Sequence, residues 1–220
     1  YINGFFHAHA DQSFLYHFPL PTEHWSGGGM DRIEHWHYHW QGKDLRFPRN
    51  SNGGKFSLPS KLIDAFLPKK RSLPDGLTPF GGSGYWCLAS KAVRYVYDYV
   101  NDHPEFIRFF RSVYIPDEIF FHTILMNSPM ADTIINDDLR HIDWSESRPG
   151  TKPAILNRSD IVTLCKSPDL FARKFDVTVD GEILELIDGK ILNVRVPEEG
   201  FQSDLGDTAL SQPTRFRCAP

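Results

Sequence analysis

The chain has 220 residues, 40% of them apolar and 24% charged. That suffices for a domain with its own core, and it excludes a disordered or fibrous chain. A net charge of −4 argues against nucleic acid as the main partner, because such binders need a basic surplus.

No apolar run approaches the roughly 20 residues that span a bilayer. The three cysteines, Cys87, Cys165 and Cys218, lack C-x-x-C spacing. They make neither a disulfide framework nor a zinc knuckle, so a reducing compartment is the default. Ten histidines are present, and seven of them lie within the first 39 residues. The sequence opens on Tyr1 and reads as a piece of a longer chain.

Tyr1 to His9 reads as the end of a helix. Pro19, Pro21 and Gly27-Gly28-Gly29 then break regular structure. From Ile33 to Trp40, His35, His37 and His39 alternate with Trp36, Tyr38 and Trp40. Period two predicts a strand with imidazoles on one face and aromatics on the other. Residues 41–80 are loop-rich, and the cluster Lys69-Lys70-Arg71 reads as a solvated face. Gly81-Gly82-Ser83-Gly84 leads into a short buried strand over 85–89. Ser90 caps a helix from Lys91 to about Val100, and His103-Pro104 starts another through about Arg111. Pro116-Asp117-Glu118 opens the clearest helix, with proline in the first turn and two carboxylates suited to the dipole. Residues 133–144 read as extended chain. Ser159-Asp160 and Ser167-Pro168 each read as the cap of a short helix. From Val177 the pattern turns to strand, and Asp188-Gly189 between 183–187 and 190–196 predicts a β-hairpin. Beyond Glu199 the tail is polar.

Four features could carry chemistry. Asp117-Glu118 offers one general base and one positioning carboxylate, or simply a well-charged helix start. The histidine strand has H-x-H spacing that can bind a metal, although imidazoles facing solvent or a groove are commoner. Gly81-Gly82-Ser83-Gly84 permits close backbone approach to a ligand. It is neither a Walker loop nor G-x-G-x-x-G. Arg173-Lys174, set between Phe171 and Phe175, could hold phosphate oxygens or be a plain surface pair. Signatures of serine hydrolases and zinc peptidases are missing.

Four segments in order carry a resemblance. They are Gly82-Ser83-Gly84-Tyr85-Trp86, the stretch from Ile115 to Ser128 around Pro116-Asp117-Glu118, Asp138-Leu139-Arg140-His141-Ile142-Asp143-Trp144, and Leu170-Phe171-Ala172-Arg173-Lys174-Phe175-Asp176. Together, from about Tyr16 to Asp176, the chain resembles the core-2/I-branching β-1,6-N-acetylglucosaminyltransferases. This is glycosyltransferase family 14, which also holds the peptide O-xylosyltransferases. The shorter bacterial members look most similar.

The resemblance implies an α/β, GT-A-like mixed sheet with flanking helices, of which 1–176 is the acceptor-side and catalytic portion. The hairpin (177–200) and a polar tail (201–220) follow. It implies inverting transfer of GlcNAc or xylose from a UDP-sugar to a glycan hydroxyl, with Glu118 as general base. Asp117, Arg32, Trp144, Ser83 and Gly84 would serve substrate binding. Lys174, with Lys152 or its rival Arg148, would offset charge on the diphosphate, so that no cofactor and no divalent metal is needed. The partners implied are the UDP-sugar and a glycan acceptor, in the cytoplasm or peripherally at the inner membrane. A nucleotide-binding half and an S-G-x-D-Y-P-like motif precede this region in the family. Two other readings are a carbohydrate-binding or inactive derivative, and a metal-dependent hydrolase built on the histidines.

Overall fold

The computed structural model describes residues 2–47, 70–145, 150 and 152–191. Two compact units divide them. One spans His9–Asp138; the other joins the described residues of Tyr1–Ala8 to those of Leu139–Pro220.

The His9–Asp138 unit is built on a three-stranded mixed sheet whose central strand has one antiparallel and one parallel neighbour. Strand β1 (Ser13–Pro19) runs antiparallel to β4 (Phe80–Cys87), pairing His17 with Gly82 and Pro19 with Phe80. The register slips between Leu15 and His17: Tyr16 alone opposes Ser83, Gly84 and Tyr85, so the bulge lies on β4. On its other side β1 pairs parallel with β5 (Ile134–Ile135). This is mixed α/β structure with helices flanking a mixed sheet, consistent with the expected GT-A-like class.

A second sheet is the hairpin of β2 (Trp36–Trp40) and β3 (Lys43–Phe47). Its two-residue turn, Gln41-Gly42, has positive φ at both positions (48° and 74°). That is the backbone twist a tight hairpin needs. The expected alternation holds: Trp36, Tyr38 and Trp40 share one face, His37 and His39 the other. The loop expectation over 41–80 misses β3, whose apolar residues Leu45 and Phe47 face Tyr38 and Trp36.

Helices α2 (Asp31–Glu34), α3 (Ser90–Asp102), α4 (Pro104–Phe110) and α5 (Phe120–Met126) complete this unit. Ala92 and Val96 of α3, Phe106 and Phe110 of α4, and Ile124 and Leu125 of α5 are buried with Leu15, Ile33 and Ile119 in one core. Pro104 starts α4 as expected. Ser90 does not cap α3: Ala89 is the cap, and its N–H donates to Ser13 Oγ at 3.0 Å. The strand expected over 85–89 starts earlier, and its buried residues are Gly81 and Gly82, while Tyr85 and Trp86 are exposed.

In the other unit, α1 covers Ile2–Ala8, as expected. Strand β6 (Arg140–Ile142) pairs parallel with β7 (Phe171–Arg173). Helix α6 (Ile161–Lys166) follows a turn capped by Asn157, whose side chain takes the Ser159 N–H while Asp160 takes the Asn157 N–H at 2.8 Å. Asn157, not Ser159, is therefore the cap. Ser167 ends α6 instead of starting a helix: its N–H bonds back to Thr163, and the proline after it holds it extended. Residues 171–173 are strand.

The C-terminal hairpin expectation is corrected. Glu182–Leu186 is a helix, α7, followed by a wider helical turn over Ile187–Ile191 that contains Asp188-Gly189. Ile183 and Leu186 lie three apart, on one helical face, and both are buried with Leu156, Ile161 and Leu164. That packing outweighs the local turn signal. Residues 192–200 of the expected hairpin and the 201–220 tail lie outside the described residues. Among those described, no helix is long and apolar enough to cross a membrane, and neither Cys87 nor Cys165 is in a disulfide.

Candidate active site

Pro116-Asp117-Glu118 is not the first turn of an α-helix, as the sequence suggested. It is a separate 3-10 turn bounded by two breaks: Ile115 is left-handed (φ 47°), and Ile119 (φ −133°) precedes α5. A left-handed β-branched residue is costly, on the order of 1–3 kcal/mol, and such strain gathers where function over-determines the backbone. The turn lifts both carboxylates off the helix and presents them at the surface.

Arg32, from α2, reaches Glu118. Its Nη1 donates to Glu118 Oε2 at 2.6 Å, with the arginine side chain 17% exposed and the glutamate 31%. The pair is half-buried, so it is held firmly yet open to a ligand. The Arg32 guanidinium also lies over Trp25, with Cζ 3.6 Å from the ring centroid. Tyr114 N–H donates to Arg32 O, which ties the segment before the turn to α2.

Gly84 belongs to the same cluster. A Cβ there would lie 2.8 Å from Asp117 Oδ2 and 3.8 Å from Glu118 Cγ. The glycine run thus admits the protein's own side chains. Gly82 likewise has no room for a Cβ, which would meet Tyr16 O at 1.8 Å and His122 Nε2 at 2.7 Å. Ser83 turns its hydroxyl to the backbone, where Oγ accepts from Tyr85 N–H at 3.2 Å. His122, fully buried on α5 against the backbone of Tyr16 and Ser83, has its pKa lowered to about 4, first by burial and then by His17.

The histidine strand does other work. His35 and His37 both bond the Asp31 carbonyl oxygen, at 3.2 and 3.1 Å. Arg46 lies 3.4 Å from the His35 ring and pairs with Asp31. Burial, aided by the Arg46 charge, pushes both imidazoles below the usual histidine range. Among the described residues, no three His, Cys, Asp or Glu side chains are placed to hold a metal.

The solvated basic cluster is also corrected. Lys70 is exposed and pairs with Glu34 at 3.0 Å, but Arg71 is buried. It donates to Ser112 and to the carbonyl oxygens of His35 and Phe109, sandwiched between the Trp36 and Phe109 rings. Burial lowers its pKa to about 10. Sequence missed it because a single arginine after two lysines carries no sign of burial. Lys69 lies outside the described residues.

The other residues singled out from the sequence, Trp144, Lys152 and Lys174, belong to the other unit. Ala154 N–H bonds Asp143 O at 2.9 Å, and Leu156 N–H bonds Lys174 O at 2.8 Å. The 152–156 segment therefore lies between the chain carrying Trp144 and the chain carrying Lys174. Lys152 Nζ donates to the Ser145 carbonyl. Trp144 is 62% exposed. Asp176 sits within reach of the Lys174 charge, and two hydrogen bonds from Thr178 hold its carboxyl below the usual range. Arg148 lies outside the described residues.

Residues 5–164 match the family model of the Core-2/I-Branching enzyme. The chain belongs to that family. The stretch takes in Arg32, Gly84, Asp117, Glu118, Trp144 and Lys152, and ends before Lys174. Among curated proteins, xylosyltransferase 2 of Rattus norvegicus is 31% identical over 135 residues, covering 54% of this chain and 16% of the relative. Xylosyltransferase 1 of Rattus norvegicus is 31% identical over 176 residues, covering 66% and 21%. A xylosyltransferase of Ciona intestinalis is 28% identical over 158 residues, covering 64% and 18%. The chain thus spans about a fifth or less of the length of these xylosyltransferases.

Proposed function

We propose that this chain is the acceptor-side and catalytic part of an inverting glycosyltransferase that moves xylose or GlcNAc from a UDP-sugar to an acceptor hydroxyl. The observation that carries the reading is the Arg32–Glu118 pair, held at 2.6 Å on a strained turn and still partly open, in a chain of the Core-2/I-Branching family. The names of the matched relatives favour xylose over GlcNAc.

Inversion needs a base in line with the bond being broken. The acceptor hydroxyl gives its proton to Glu118, its oxygen attacks the anomeric carbon, and UDP leaves with the electron pair of the glycosidic bond. Arg32 bonds Oε2, so Oε1 is the atom to receive the proton. Asp117 and Arg32 orient acceptor hydroxyls, and Trp144 offers a flat apolar face to a sugar ring. Charge accumulates on the departing diphosphate. Lys174 and Lys152 supply positive charge to offset it, which is the role a divalent metal plays in other sugar-nucleotide enzymes.

Glu118→Gln in the full-length protein tests the base. Transfer from UDP-xylose or UDP-GlcNAc should fall by about 10²–10⁴-fold with UDP affinity unchanged. Retained turnover would remove Glu118 from the role, and loss of activity in EDTA would remove metal independence. The reading as a carbohydrate-binding derivative predicts acceptor binding by calorimetry with no heat from UDP.

A further inference from the structure

We infer that Trp25 is a positioning residue that aims Arg32, and through it Glu118. The inference rests on the reading of Glu118 as the base. Trp25 precedes the turn Ser26–Gly29, where Gly27, Gly28 and Gly29 have φ of 63°, 77° and 76°. Three successive left-handed residues are accessible only to glycine. The turn folds back so that Gly28 N–H reaches Trp25 O at 2.9 Å.

The benzo ring of the indole then packs against two glycines. A Cβ on Gly29 would lie 2.4 Å from Trp25 Cε3, and one on Gly81 would lie 2.5 Å from Cη2 and 2.7 Å from Cζ3. Neither position tolerates a side chain without moving the ring. Phe18 packs against the indole in a T-shaped arrangement, with centroids 5.1 Å apart. One face of the ring carries the Arg32 guanidinium at 3.6 Å.

The guanidinium therefore has two anchors, a π face beneath it and a carboxylate at its tip. A free arginine samples many rotamers, and ordering it is costly. The fixed face removes most of that freedom before substrate arrives, and a partly desolvated cation on indole is the favourable case for such stacking. Two glycine-bearing segments, 27–29 and 81–84, thus meet in one purpose. Gly81 seats the ring that holds Arg32, and Gly84 admits the carboxylate beside Glu118.

The test is steady-state kinetics on the full-length protein with UDP-xylose and UDP-GlcNAc, with folding followed by thermal melts. Trp25→Leu keeps apolar bulk and removes the π face. It should lower kcat by about 10²-fold, the effect of a small misplacement of a catalytic group, with donor KM within twofold. Trp25→Phe restores a face and should recover kcat to within a few-fold of wild type. Gly81→Ala, which displaces the indole from β4, should reproduce the Leu phenotype and is read in its place if the Leu variant does not fold. A folded Trp25→Leu or Gly81→Ala protein with wild-type kcat, where Glu118→Gln is inactive, overturns the inference and leaves the base in place. Full turnover by Glu118→Gln overturns both.

Discussion

In the His9–Asp138 unit every charged residue of the site is fixed by something else. Arg32 lies between an indole and a carboxylate, Glu118 rides a strained turn, and Asp117 occupies the space that Gly84 leaves. In the unit that carries 139–191, Trp144 and Lys152 stand at the surface, and the core behind them is a small cluster around Leu156, Ile161, Leu164, Ile183 and Leu186. The difference follows the division of labour proposed for the two sets. A base must be aligned before the reaction, because misalignment weakens its transition-state contact directly. Cations that answer a diphosphate can order on binding, since the ligand's own charge arranges them.

The largest test of that contrast is Lys174→Met. If the smaller unit serves the donor, kcat/KM for the UDP-sugar should fall by about 10²–10³-fold, comparable to removing one preorganised charge-stabilising donor. UDP binding by calorimetry should weaken as well. Glu118→Gln should leave UDP binding alone. Equal UDP affinity in both variants would erase the distinction between the two units.

Acid stability comes next. His122 is fully buried with its pKa lowered to about 4, whereas in the unfolded chain it titrates near 6.5. The unfolded state binds the extra proton between these values, so stability rises with pH across that window. The stabilisation is complete above about 6.5 and is lost on descent toward 4, with a magnitude on the order of 3 kcal/mol. Burial lowers the His17 pKa too, in the same sense. Melting temperature should therefore fall steeply from pH 7 to 4.5, and His122→Asn should flatten that slope. Both histidines belong to the His9–Asp138 unit, so its melting should carry the pH dependence. An unchanged slope in the variant would assign the acid sensitivity elsewhere.

How far the sequence foretold these features depends on whether their cause was local. Strand alternation in 36–40, the proline start of α4 and the first three of the four ordered family segments were legible, because each depends on residues close in sequence. The roles of Trp25 and Arg71 were not. Both depend on partners brought together by folding: Gly29, Gly81 and Arg32 around Trp25, and Ser112 and Phe109 around Arg71. Glycine runs announced only that something would come close. At Gly81, Gly82 and Gly84 the visitors are Trp25, His122 and Asp117, where ligand was the expectation. The failed hairpin has the opposite cause. Asp188-Gly189 is a strong local turn signal, but Ile183 and Leu186 bury a helical face, and burial of two such side chains is worth several times a turn preference, about 1.5–3 kcal/mol each.

Trp144 sharpens the contrast at its small end. Its ring is 62% exposed, so truncation leaves no cavity and should cost little stability. What is lost is a flat apolar face, worth about 0.5–1.5 kcal/mol when an aromatic partner or sugar ring covers it. Trp144→Ala should therefore raise acceptor KM by about two- to tenfold, with kcat and donor KM near wild type. That pattern differs from Lys174→Met although both residues lie in the same unit. If Trp144→Ala instead lowered UDP affinity, the exposed ring would belong to the donor subsite, and the smaller unit would serve the donor alone.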